Sequence, residues 1–241
     1  MTGAATPPRP SGAAAERQPT GAAPIDALLE GGLETDGLTE LYGEGGTGKT
    51  VLCLAATLRV ALADRWVCYI DTEGVSTERI ERMAGPALER VLGHLLLASP
   101  RSLEEQAEAV RSACALARDG RRPIGLIVLD SATMFYRLEL GTAGEEEARG
   151  SLVGQLSELL ATALALPVPV LFTNQVWRNV AQGTLEPLGG PSVNHLSKTI
   201  LRLERSSGGY RRAILVKHRS LGERDAAYRI TAQGIEFPGR P

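Results

Sequence analysis

The sequence predicts an α/β fold: a mostly parallel, twisted sheet flanked by helices, with an antiparallel extension at its C-terminal end. Three observations predict it. Strand-length apolar runs alternate with helix-length segments between residues 38 and 173. Several runs, such as IGLIVL at 124–129, are apolar throughout, as strands buried on both faces are. After residue 174 the texture becomes polar loop, then alternating strands around a Gly208-Gly209 turn.

The elements follow in order. Residues 1–21 hold Ala, Pro, Gly and Ser with no large apolar side chain beyond Met1, so they are expected to be a disordered tail before a domain at 22–241. LTELY at 38–42 predicts a strand, and 48–63 is apolar at helical spacing. WVCYID (66–71) predicts a second strand, 77–92 a helix broken near Pro86, and HLLLA (94–98) a third strand. A helix at 102–118 precedes the strand 124–129, and a helix at 146–165 precedes VPVLFT at 168–173. Strands at 199–205, 211–217 and 226–231 make the antiparallel extension on one sheet edge.

Composition narrows the class. A hydrophobic fraction of 43% with 22% charge is globular, and no apolar run reaches the length of a membrane span. No basic segment followed by an apolar run opens the chain, so no secretory signal is expected. Cys53, Cys68 and Cys114 form no CxxC pair and sit in apolar stretches, which predicts reduced packing residues and a cytoplasmic location. Aromatics at 4% argue against a many-ringed platform for single strands. The net charge of -2 is unevenly spread: residues 175–241 carry 11 basic and 5 acidic side chains, whereas 1–174 carry 15 and 23. The C-terminal third therefore either faces an anionic partner or is a basic sheet edge paired with acidic neighbours. Only Lys49, Lys198 and Lys217 are lysines among 26 basic residues.

The chemistry starts at the first strand–helix junction. Gly43-Glu44-Gly45-Gly46-Thr47-Gly48-Lys49-Thr50 satisfies GxxxxGK[ST] throughout. The backbone N–H groups of such a loop and the helix behind it, beginning with Val51, cradle phosphate oxygens. Lys49 would reach the β and γ phosphates of ATP, and the Thr50 hydroxyl would ligate Mg2+. GxGxxG also occurs here (Gly43, Gly45, Gly48), but Lys49-Thr50 directly after the last glycine decides for a phosphate loop. LIVLD at 126–130 ends in Asp130, placed to hold a magnesium-bound water. Asp71-Thr72-Glu73-Gly74 follows the second strand, where Glu73 could polarise a water.

The assembled pattern resembles the RecA/RadA recombinase family and, within it, the short archaeal RadB branch. YIDTEGVSTERI (69–80), LIVLDSAT (126–133), FTNQVW (172–177), PLGGPSVNHLSKTILRLE (187–204) and VKHRSLGE (216–223) carry the match, which covers roughly 22–237. The resemblance implies a RecA-like ATPase core. It implies that Glu73 is the general base, that Gln175 senses the γ phosphate and signals into a second DNA-binding loop near 176–188, and that His195 completes the sensor. Without the family, His195 would be a structural histidine. Arg79 resembles an arginine packed over adenine, with a surface ion pair to Glu78 or Glu81 as the rival reading. Lys217 lies where RecA-type filaments set a lysine against a neighbour's γ phosphate; in a monomer it would be an idle surface lysine.

For DNA, the resemblance implies a first loop near 136–150. Its acidic run Glu145-Glu146-Glu147 suits a helix N-terminus better than a phosphate contact. The second loop offers Arg178 and Trp177, and Arg202, Arg205, Arg211, Arg212 and Arg219 lie on the C-terminal strands. Contact with single-stranded or branched DNA is expected to be electrostatic, modest and not sequence-specific. Two departures follow: 42 residues before Gly43 leave no room for a helix-hairpin-helix domain, and no Phe-x-x-Ala linker motif is found, so no long self-filament is expected. The expectation is an ATP-binding, weakly hydrolysing accessory protein of homologous recombination and DNA repair, a mediator rather than a strand-exchange recombinase. It would work at the nucleoid with the main recombinase and a Holliday-junction-processing protein. The alternatives are a nucleotide-dependent binding module with vestigial hydrolysis, acting on a protein partner, and a KaiC-like regulatory ATPase, although no internal repeat is visible.

Overall fold

In the computed structural model, which describes residues 16–179 and 184–238, the apolar runs become strands of a nine-stranded sheet. A short strand β1 (Arg17–Gln18), helix α1 (Ala23–Leu28) and β2 (Leu33–Glu34) lead in, with β1 and β2 antiparallel. There follow β3 (Leu38–Gly43), α2 (Lys49–Ala61), β4 (Trp66–Asp71), α3 (Thr77–Ala84), α4 (Leu88–Leu92), β5 (Leu95–Ala98) and α5 (Leu103–Asp119). Next come β6 (Ile124–Asp130), α6 (Tyr136–Glu139), α7 (Glu145–Ala165), β7 (Val170–Asn174), β8 (Val176–Asn179) and β9 (Thr184–Pro187). The chain closes with α8 (Gly190–Leu196), β10 (Ser197–Arg205), β11 (Arg211–Lys217), β12 (Arg224–Ile230) and β13 (Ile235–Glu236). The large sheet runs β13-β12-β11-β10-β3-β7-β6-β4-β5, parallel from β10 to β5 and antiparallel from β10 to β13. The fold is the α/β architecture that the sequence predicts.

Both faces of the parallel part are covered, which is why its strands carry no polar alternation. Val67 and Tyr69 of β4 pack with Leu52 of α2 on one face, while Cys68 and Ile70 pack in the core that contains Leu156 of α7 on the other. Each such branched side chain, fully buried, contributes roughly 1.5–3 kcal/mol. The three cysteines are free and buried, and burial pushes the Cys68 thiol up to about 12, consistent with packing. Among the described residues no helix is long and apolar enough to cross a membrane. Local signals set the helix ends. Ser102 accepts the Glu105 amide at 3.2 Å and Glu105 accepts the Arg101 amide at 2.8 Å, opening α5 with a reciprocal cap; Gly120 ends it at φ 66.

The structure departs from the sequence reading in three places. Order begins before residue 22: β1 pairs with β2, and Thr20 is buried with its hydroxyl on Asp26 at 2.7 Å. Residues 1–15 of the expected tail lie outside the described residues. The expected first loop at 136–150 is mostly helix, with Glu145, Glu146 and Glu147 in the first turn of α7, where the helix dipole favours them. The polar stretch after residue 174 holds a hairpin, β8–β9, and the helix α8.

Candidate functional site

The parallel register brings four strand ends to one rim. Asp71 of β4 lies beside Asp130 of β6, and Tyr42 of β3 beside Asn174 of β7. In open α/β sheets this carboxyl edge is where ligands sit. The loop 43–48 crosses the rim into α2. Gly43 adopts φ 153, and a Cβ there would stand 2.1 Å from the Leu203 carbonyl oxygen of β10, so only glycine lets that strand lie against the loop. Thr47 donates its hydroxyl to the Glu44 carbonyl at 2.8 Å and accepts the Tyr228 hydroxyl of β12 on its own carbonyl at 2.6 Å. Lys49 Nζ donates to the Gly43 and Glu44 carbonyls at 2.7 and 3.1 Å. Burial lowers the Lys49 pKa, against the opposing charges of Glu73 and Asp130.

A cleft of about 430 Å³ opens over this loop, lined also by Glu73, Arg79 and Arg211. A positive side chain at a glycine-rich helix entrance suits a phosphate chain. Asp130 is 2% exposed and accepts from Thr173 at 2.6 Å and Tyr69 at 2.8 Å, and the Thr50 hydroxyl is among the groups that favour its charged form. Burial pushes its pKa up. One hydroxyl and one carboxylate beside that cleft are the hard oxygen donors magnesium takes, so the residues fit the ion. The peptide bond between Asp130 and Ser131 is cis.

Glu73 is positioned by its neighbours. Asp71 accepts the amides of Glu73, Gly74 and Val75 at 3.2, 2.9 and 2.7 Å, fixing the turn. Gln175 Nε2 donates to Glu73 Oε1 at 2.7 Å, while Arg137 donates to the Gln175 Oε1 at 3.0 Å. Arg137 was missed by the sequence reading, since nothing in its local pattern sets it apart from other surface arginines. Behind Gln175 lies a buried polar network. Asn174 donates to Glu40 Oε1 at 2.8 Å and to the Leu188 carbonyl at 2.9 Å, and accepts from Thr133 at 3.0 Å. Thr133 also takes the Gln175 amide at 3.0 Å, and Ser197 donates to the other Glu40 oxygen at 3.0 Å. Glu40 was missed too; the signal was a carboxylate inside the apolar strand LTELY.

Burial raises the Glu40 pKa, opposed by the hydrogen bonds from Asn174 and Ser197 and the charge of Lys217. Between the ordinary carboxylate value and the raised one, the folded chain holds more protons than the unfolded chain. The stability Glu40 contributes is therefore full at acid pH and lost as pH rises through that window. Glu40→Gln keeps an acceptor for Asn174 and is expected to flatten that part of the Tm-against-pH curve. Parallel curves for the two proteins would refute this.

Other sequence candidates fall in different places. Trp177 (46% exposed) and Arg178 lie on β8, opposite Glu186 and Leu185 of β9. Residues 180–183 of the expected loop 176–188 lie outside the described residues. His195 is exposed on α8, and no hydrogen bond joins it to Gln175 among the described residues. Lys217 donates to the Asn194 carbonyl of its own chain at 2.7 Å. Arg79 donates to the Thr231 carbonyl at 3.1 Å and lines the cleft, while Glu78 pairs with Arg82. Arg202 is half-buried in the sheet, paired with Glu204 at 2.7 Å and facing Tyr42, so its charge is already committed. Arg212 and Arg219 pair with Asp225 and with Glu34 and Asp36. Arg205 and Arg211 turn onto the phosphate loop rather than outward.

The chain is similar over most of its length to known proteins. A family model described as Rad51 matches residues 16–238. A Methanoculleus marisnigri protein named "DNA repair and recombination protein RadB" is 40% identical over 221 residues, 91% of this chain and 97% of the relative. Proteins of the same name from Archaeoglobus fulgidus (41% over 220 residues, 90% of this chain and 97% of the relative) and Thermoplasma acidophilum (40% over 222 residues, 91% and 94%) are similar.

Proposed function

Because the chain belongs to the Rad51 family, we propose that it is an ATP-binding, weakly ATP-hydrolysing accessory protein of homologous recombination and DNA repair. Its phosphate loop and Lys49 bind the ATP phosphates, and Arg79 holds the base side of the cleft. Thr50 and, through water, Asp130 would hold magnesium, which would supply charge neutralisation to the phosphate oxygens. Glu73 takes the proton of a water aimed at the terminal phosphorus, and Lys49 balances the charge that builds on the phosphate oxygens. The β8–β9 hairpin, with Trp177 and Arg178, offers a ring and a cation to single-stranded or branched DNA without reading its sequence. In the cell the protein would act at the nucleoid beside the main recombinase.

The observation that carries this reading is the 2.7 Å bond from Gln175 to Glu73. Gln175 sits between the cleft and the hairpin that begins at Val176, so a carboxylate that shifts towards a bound nucleotide moves the base of that hairpin. The test is DNA binding with and without a non-hydrolysable ATP analogue, over a salt series, on single-stranded, duplex and branched DNA. Affinity is expected to rise with the analogue and fall with salt, and Gln175→Ala to abolish the nucleotide effect. No binding to any DNA at low salt, with nucleotide binding intact, would redirect the reading to a protein partner.

A further inference from the structure

The C-terminal strands and the connection between β11 and β12 carry seven arginines within the described residues, and five are neutralised by carboxylates. Arg202 pairs with Glu204, Arg212 with Asp225, Arg219 with Glu34 and Asp36, Arg224 with Glu30, and Arg229 with Glu236. Arg205 and Arg211 have no carboxylate within ion-pair distance among the described residues. They are instead direct partners across the β10–β11 ladder, where like charges repel. Both turn to the same place. Arg205 donates to the Gly45 carbonyl at 2.7 Å, and Arg211 donates to the Gly46 carbonyl at 3.4 Å and to Gly209 at the hairpin tip. The fit is close: a Cβ on Gly46 would lie 2.7 Å from the Arg205 guanidinium. Arg211 also lines the cleft with Lys49 and Glu73.

Two unneutralised guanidiniums, opposed to each other and aimed at a phosphate loop, lack an anion. We propose that Arg211 binds the terminal phosphates of the nucleotide from within the same chain, with Arg205 as a positioning residue. Arg205 acts through the Gly45 carbonyl: a cation there polarises the peptide and strengthens the loop's N–H donors. The positive charge of the site is then complete without a neighbouring subunit. This rests on the nucleotide reading above and assigns the pair of arginines that the reading leaves unused.

The test is fluorescence titration of the full chain with labelled ATP, ADP and AMP, at a low and a high protein concentration. Arg211→Gln is expected to weaken ATP by about tenfold or more, ADP less and AMP hardly at all, with partial recovery in Arg211→Lys. Arg205→Gln is expected to lower ATP affinity by a smaller factor. Arg212→Gln, whose arginine is paired with Asp225, is the control that should bind as the wild type does. Wild-type affinities should be equal at both protein concentrations. An equal loss for all three nucleotides would mean that Arg211 merely braces the loop, and would overturn the proposal. Unchanged ATP affinity in Arg211→Gln, or wild-type affinity that rises with protein concentration, would overturn it as well. A wild-type chain that binds none of the three sinks the nucleotide reading itself, and this inference with it. Circular dichroism identifies any variant that fails to fold, and the single exchange at Arg211 decides alone if Arg205→Gln does.

Discussion

Glu73→Gln is expected to lower ATP hydrolysis by about 10²- to 10⁴-fold, the range general-base catalysis contributes, while nucleotide affinity changes little. The physical reason is specific to this geometry. Glutamine keeps the side-chain oxygen that accepts the Gln175 amide at 2.7 Å, and Asp71 still holds the turn through three backbone amides. The substitution therefore removes the proton acceptor and leaves the scaffold intact. Phosphate release measured beside nucleotide titration separates the two quantities. Hydrolysis that persists at the wild-type rate would show that Glu73 is no base, and would favour a nucleotide-gated binding module whose turnover is incidental.

Asn174→Ala is expected to cost about 3–5 kcal/mol of stability, an effect of the size seen when a buried ionisable group loses its partner. Asn174 is fully buried and makes three side-chain hydrogen bonds, to Glu40, Thr133 and the Leu188 carbonyl. Alanine would leave Glu40, with no solvent exposure, with the Ser197 hydroxyl as its one side-chain hydrogen-bond donor among the described residues and Lys217 as a nearby charge. It would also remove the bond to the Leu188 carbonyl, leaving Leu188, the residue directly after β9, held by its own amide on the Gln175 carbonyl at 3.0 Å. Denaturant unfolding measures the loss. The double variant Asn174→Ala with Glu40→Gln should recover part of it, because the buried charge is then gone. A loss no larger than that of an ordinary surface exchange would show that water or rearrangement satisfies the network.

The sequence signalled most strongly where one segment carries its own physics. The phosphate loop, the acid at the end of LIVLD and the alternation of apolar runs all depend on local spacing, and the strands they predict are found. The elements that escaped are those whose stability comes from elsewhere. β1 is two polar residues held by backbone pairing to β2, so composition alone could not distinguish it from a tail. The β8–β9 hairpin and α8 carry little apolar periodicity, and α8 is anchored by the buried Val193. Within the site, residues that act through long-range contacts were the hard ones. Arg137 meets Gln175 across 38 positions and Arg205 meets Gly45 across 160, and no window of sequence contains both partners. Arginines on the C-terminal strands looked alike as a charge cluster, yet the structure divides them into pairs with carboxylates and a pair on the phosphate loop.

The hydroxyl of Tyr228 holds the carbonyl of Thr47, and those two residues are separated by 181 positions. On a chain emerging from the ribosome, the whole GxxxxGK[ST] stretch is made first, and its tether follows 181 positions after Thr47. Strand β10, whose backbone presses against Gly43, also arrives late. The loop therefore waits with its motif complete and its support missing while the residues up to Tyr228 are made, and the nucleotide pocket is finished only after them. Shortening the chain before Tyr228 would leave every motif residue in place and still remove that support.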